Sequence, residues 1–190
     1  MTRQYTLKKR AEKQAETRRR IVEATVALHT SVGPGRTSIS AVAERAGVQR
    51  HTVYAHFPDE AALFAACTSH WNAAHPFPDP DRWGTIADPG VRLARALRDV
   101  YDWYAEVADD MEVIVRDAAT VPAVAVYAGA RNRQLAGLAD RLASGLGRSK
   151  GVRAAVGHAL AFETWRSLVR REGLTNAQAV RLMLDLVEAV

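Results

Sequence analysis

At 190 residues the chain is long enough for one or two compact units with a real core. Its 48% hydrophobic content is ordinary for a soluble protein, and no apolar run is long enough to span a bilayer. The N-terminus is polar and basic where a secretory signal would be apolar, and the single cysteine, Cys67, excludes an intrachain disulfide. A cytoplasmic protein without membrane association is expected. The net charge of +5 is unevenly placed. Residues 1–66 carry 11 Lys/Arg and 6 Asp/Glu, a difference of +5, whereas residues 67–190 carry 15 of each. This is the electrostatic footprint of a nucleic-acid-facing part joined to a neutral remainder.

Residues 1–12 read as a mobile basic arm with Arg3, Lys8, Lys9 and Arg10. A helix follows to about Ser31, with Ile21, Ala24 and Leu28 as its inner stripe, and Gly33-Pro34-Gly35 ends it. Ile39, Val42, Ala43 and Ala46 then recur at i, i+3, i+4 and i+7, one face of a short helix that Thr37 or Ser38 can cap. Gly47 sits where a left-handed residue would end it. From Gln49 a second short helix can bury Val53 and Phe57 while Arg50, His51, Thr52, Tyr54 and His56 face outward. One helix braces and the next is too polar to be packed all round, which is what a helix-turn-helix requires. Pro58 stands near the start of a fourth helix, about 59–71. Residues 75–90, with four prolines and two glycines, form a boundary. Beyond it the pattern predicts helices near 89–108, 109–117, 120–146, 150–171 and 176–190, the last opened by a Thr175/Gln178 capping box after Gly173. No segment alternates long enough to argue a strand, so the fold class is all-α.

The stretch AGVQRHTVYAHFPDEAALF resembles the signature of the TetR family of transcriptional regulators. The residues that carry the resemblance are Gly47, Val48, Gln49, Thr52, Val53, Tyr54, Phe57, Pro58, Ala62 and Leu63. Upstream, TRRRIVEATVALHTSVGPGRTSISAVAERAG is similar to the family's first two helices with the glycine break between them. The specific match covers roughly the first third of the chain. Two positions depart from the pattern. Gln49 stands where the family usually has a better cap such as Ser, and Glu60 where it often has a Lys that meets a phosphate.

The resemblance implies a basic arm (1–12), a helix-turn-helix DNA-binding domain (13–58) and a ligand-binding and dimerisation domain (59–190). Arg50 can present its fork to guanine, and Thr52, Tyr54, His51 and His56 can reach phosphates or base edges, with Gln49 at the helix start. Arg36, Thr37, Ser38 and Ser40 lie at a helix N-terminus suited to a phosphate. Within the C-terminal part, an effector pocket is expected around Trp103, Met111, Tyr127, Phe162 and Trp165, with His158, Asp102 and Glu106 as polar handles. The same aromatic residues suit any helical core. Val180, Met183, Leu184 and Val187 form an apolar stripe expected to serve partly the core and partly a symmetric dimer interface.

Cys67 and His70, with His75 nearby, make a weak metal pattern that lacks a second cluster. No phosphate-cradling glycine loop or G-x-S-x-G elbow is present, so neither a cofactor nor an enzyme is expected. The expected function is a homodimeric regulator that binds a palindromic double-stranded operator and is released by a small-molecule effector. Repression is the family's usual outcome, and the residues leave repressor and activator open. The alternative is a helical small-molecule binding or carrier protein without specific DNA recognition.

Overall fold

The computed structural model describes residues 2–147 and 149–190, and in the first turn the side chains of residues 2–4 and 6 lie outside the described set. Arg3 of the expected basic arm is among the latter. Ten α-helices are described, and no strand occurs among the described residues: the chain is all-α. The chain divides into two compact units, residues 1–76 with 109–126, and residues 77–108 with 127–190.

The first unit opens with α1, Thr2–Ser31. The expected arm is therefore helical from Thr2 onward. No glycine or proline interrupts residues 2–31, and Arg19 pairs with Glu16 and Glu23 one turn away on either side. After α1, Gly33 adopts φ 99 and a single tight turn covers Pro34–Arg36. Helix α2, Ile39–Ala46, is capped by the Ser38 hydroxyl, which accepts from Ala41 N at 3.2 Å. It ends at Gly47, left-handed at φ 64. Helix α3 spans Arg50–His56 and α4 spans Glu60–Ala74. Helix α1 packs on both α2 and α4, and α2 on α3. Ile21, Val42, Ala43, Val53, Phe57 and Leu63 form the buried centre.

The second unit starts with a short helix inside the Pro-rich boundary, α5, Pro80–Gly84, whose Trp83 is buried and donates to Asp99 at 2.8 Å. Helix α6 runs unbroken from Pro89 to Asp117, so the expected break near residue 108 is absent, and its residues are divided between the two units at 108/109. Helix α7 spans Pro122–Ala143. The expected helix 150–171 is instead α8, Lys150–Ala159, a break at Leu160 and Ala161, α9, Phe162–Trp165, and a π-helical turn, Arg166–Arg171. Ala161 is extended at the break, and Tyr101 and Tyr104 hydroxyls donate to the Ala159 and Leu160 carbonyls at 2.9 and 2.8 Å. Backbone acceptors that α8 cannot satisfy are thus satisfied by side chains of α6. Helix α10, Asn176–Glu188, begins with the complete Thr175/Gln178 capping box. No helix among the described residues is long and apolar enough to cross a membrane.

Candidate functional site

Helix α3 buries Val53 and, at its C-terminal boundary, Phe57, and presents the opposite face outward. Gln49, Arg50, His51 and Tyr54 are exposed, while Thr52 and His56 are half-buried. Tyr54 is 46% exposed, a large ring that the described residues leave about half in water. Gln49 occupies the cap position of α3 but makes no side-chain capping bond. That leaves backbone N–H groups at the start of α3 for another acceptor.

The preceding elements fix how α3 is carried. Arg36, Ser38 and Ser40 are exposed and Thr37 is half-buried beside the N-terminus of α2. Two hydroxyls already have partners: Thr37 Oγ1 donates to Gly33 O at 2.8 Å, and Ser38 Oγ caps α2. Capping leaves a hydroxyl's remaining bonding capacity open, so these residues are compatible with a phosphate. Glu60 opens α4 behind the Asp59 cap, which accepts from Ala62 N at 2.7 Å. An acid there suits the helix dipole.

Two arginines that sequence reasoning did not single out hold the turn. The Arg20 guanidinium donates to Ala46 O, and to Gly47 O at 3.1 Å. Arg18 lies 4.8 Å over the Phe57 ring. Both stand on the face of α1 toward the motif. The basic run TRRR was the available signal, but its charges read equally as phosphate contacts. A third clamp comes from the end of α6. Asp117 accepts from Gly35 N at 2.8 Å, and Arg116 donates to Val32 O at 2.9 Å. The Arg116 guanidinium beside Asp117 holds its carboxyl below the ordinary range, aided by the Gly35 amide. Nothing in the local sequence signals this contact, which joins residues far apart in the chain.

Cys67 is buried, donates to Phe64 O at 3.1 Å and faces His29 Nδ1 at 3.4 Å, while His70 is exposed. Burial pushes the Cys67 thiol up to about 12 and pulls His29 down to about 4. Among the described residues no three metal-ligating side chains gather.

In the second unit the expected pocket residues Trp103, Phe162 and Trp165 are buried together around Tyr104. Their rings lie 5.5, 5.2 and 5.9 Å from it. Phe162 and Trp165 stack at 5.7 Å. Trp165 Nε1 donates to Asn176 Oδ1 at 3.0 Å, and Asn176 donates to Asp102 at 2.9 Å. Asp102 is therefore a surface acid that fixes the start of α10. His158 is exposed beside Thr164, Tyr127 is half-buried, and Met111 belongs to the first unit. A cleft of about 110 Å³ in the second unit is lined by Pro80, Trp83, Arg92, Leu138, Arg141 and Leu142, among others, and by none of the expected pocket residues.

Burial divides the expected dimer stripe. Val180, Met183 and Val187 are buried within the chain and Leu184 is half-buried, because this face of α10 packs toward its own unit. The apolar residues that α10 leaves outward are Leu182 and Leu186, followed by Val190 just beyond its end. They recur at i, i+4 and i+8, one helical stripe.

A two-helix motif with a polar outer face, on the basic third of the chain, is a helix-turn-helix, the arrangement that lets one helix enter a DNA major groove. Residues 21–67 match the model of the bacterial regulatory proteins of the tetR family. The match covers the helix-turn-helix segment and the helix on either side of it. Solved structures share the fold over most of the chain. A TetR-like transcriptional regulator from Rhodococcus sp. RHA1 is 21% identical with a TM-score of 0.62, over 90% of this chain and 93% of that one. A TetR family transcription regulator from Marinobacter aquaeolei VT8 is 16% identical with a TM-score of 0.59, over 93% and 97%. AibR, in complex with isovaleryl coenzyme A and operator DNA, is 19% identical with a TM-score of 0.64, over 90% and 97%. No curated protein matches the chain.

Proposed function

We propose that this regulator is a cytoplasmic repressor that binds a palindromic operator as a homodimer and is released by a small-molecule effector. It has no catalytic role in this reading. The observation that carries it is the outward face of α3, where Arg50, His51 and Tyr54 are exposed above the buried Val53. Residues 13–58 read DNA, residues 1–12 add basic contacts to flanking phosphates, and residues 59–190 bind effector and partner. Arg50 reads a base edge, Tyr54 and Thr52 meet phosphate or base, and Arg36, Thr37, Ser38 and Ser40 position the motif on the backbone.

The aromatic set around Tyr104 supports an effector site in the second unit, and AibR with its bound acyl coenzyme A supports a small-molecule ligand for this fold. Leu182, Leu186 and Val190 offer the self-complementary apolar stripe that a two-fold interface needs. Helix α6 carries both Trp103 and Asp117, so a shift along it would bias the loop that leads into α2.

Arg50→Ala and Tyr54→Ala are expected to weaken operator binding by about 1–3 kcal/mol each without loss of fold. Arg50→Ala should also relax base preference at one position. Titration of operator and scrambled duplexes, with circular dichroism for the fold, checks this. Unchanged operator affinity in both folded variants would remove α3 from the interface.

A further inference from the structure

Arg131 on α7 is a cation stacked among rings, and no ion pair to it occurs among the described residues. Its guanidinium carbon lies 4.2 Å from the Phe77 ring centre and 4.9 Å from that of Trp103. Its Nη2 is buried and has no hydrogen-bond partner among the described residues. Burial pulls its pKa below the ordinary range, against the opposing influence of Tyr104 and Tyr127. The contrast with other arginines is plain. Arg95, Arg116, Arg141 and Arg153 are all about half exposed or more, and each is paired with an aspartate. The half-buried Arg131, which most needs a counter-charge, is left without one.

Stacking covers the faces of a guanidinium and leaves its N–H edge free. A buried donor edge without a protein acceptor is costly to keep and favours an incoming acceptor group. That group must be planar or fork-shaped, anionic and small enough to reach between rings. One guanidinium supplies one charge, and a doubly charged phosphate would leave the second charge uncompensated among Phe77, Trp103 and Tyr104. We propose that Arg131 anchors an effector of the monocarboxylate class, the carboxylate taking the Nη2 edge of Arg131 and the apolar body lying on the Phe77 and Trp103 rings.

This rests on the effector-release reading, and the test separates the two. Straight-chain and phenyl-substituted monocarboxylates, their primary amides and the matching monoalkyl phosphates are titrated calorimetrically into full-length protein and into Arg131→Met and Arg131→Lys. Each compound is also tested for release of operator duplex. At least one carboxylate is expected to bind wild type about 10- to 100-fold tighter than its amide, from the loss of a charge-assisted hydrogen bond. Arg131→Met should lose that preference, and Arg131→Lys should retain part of it as a point charge without the fork. The proposal is overturned if amides bind as well as acids to wild type, if only phosphates bind, if no carboxylate binds, or if Arg131→Met binds the acid unchanged. If neutral compounds release operator and acids do not, effector release stands and the carboxylate anchor fails. If the acid binds through Arg131 yet leaves operator bound, the anchor stands and release fails.

Discussion

Asp117→Ala is expected to destabilise the first unit by about 1–3 kcal/mol and to weaken operator binding beyond that loss of stability. The carboxylate is buried and accepts from Gly35 N and from Arg116 Nε, each at 2.8 Å. Removing it leaves a half-buried backbone amide unpaired, which costs more than the net value of an ordinary hydrogen bond. Arg116 is about half exposed, so water takes up its charge and no stranded buried cation adds to the loss. The consequence for DNA follows from position. Gly35 lies in the turn that precedes α2, and Arg116 holds Val32 on the other side of it. Gly33 itself sits at φ +99, and a Cβ there would meet the Arg116 and Asp117 side chains. Thermal unfolding and operator titration of Asp117→Ala and Asp117→Asn check the claim. Asparagine keeps an acceptor for Gly35 and should fall between alanine and wild type. Equal stability of all three proteins would show that the clamp contributes nothing.

The second large effect is acid destabilisation through His29. Burial pulls its pKa from 6.5 to about 4, with Asp117 opposing weakly. The folded protein therefore holds His29 neutral between these values while the unfolded chain takes up a proton. Stability from this group is fully present above pH 6.5 and is lost as pH falls toward about 4. A shift of this size corresponds to on the order of 3 kcal/mol across that window. Its ring lies 5.6 Å from that of Phe64 and its Nδ1 faces the buried Cys67 thiol. His29→Gln removes the titration, so its unfolding midpoint should depend less steeply on pH than that of wild type over the same range. Parallel curves for the two proteins would show that His29 is not the group responsible.

The DNA-facing half was legible in the sequence because its signals are local. The left-handed Gly47, the Ser38 cap, and the burial of Val53 and Phe57 each depend on neighbours within a few residues, and each is found in the structure. The Thr175/Gln178 box was legible for the same reason. What escaped depends on partners distant in the chain. The break at Leu160 and Ala161 has no glycine or proline to announce it, and it exists because Tyr101 and Tyr104 take the freed carbonyls. The reverse case is the break expected between 108 and 109. Asp110 instead accepts from Trp71 Nε1 at 2.7 Å, and α6 passes through unbroken. On α10, helical spacing found an apolar stripe but could not say which of its residues the chain keeps. Burial assigns Val180, Met183 and Val187 to the core and leaves Leu182 and Leu186 outside. Arg131 was invisible in the sequence because an unpaired cation is defined by what does not surround it.

The most direct test of a dimeric regulator that reads DNA through α3 is selection of bound sequences from a pool of random duplexes with the full-length protein. Enrichment of a two-fold-symmetric motif is predicted, with half-sites spaced by about one helical turn or a related interval. Loss of the motif's strongest base position is predicted when the selection is repeated with Arg50→Ala. Recovery of unenriched sequence, with affinity that depends on salt alone, would contradict specific recognition and leave only the basic face of the first unit to bind DNA.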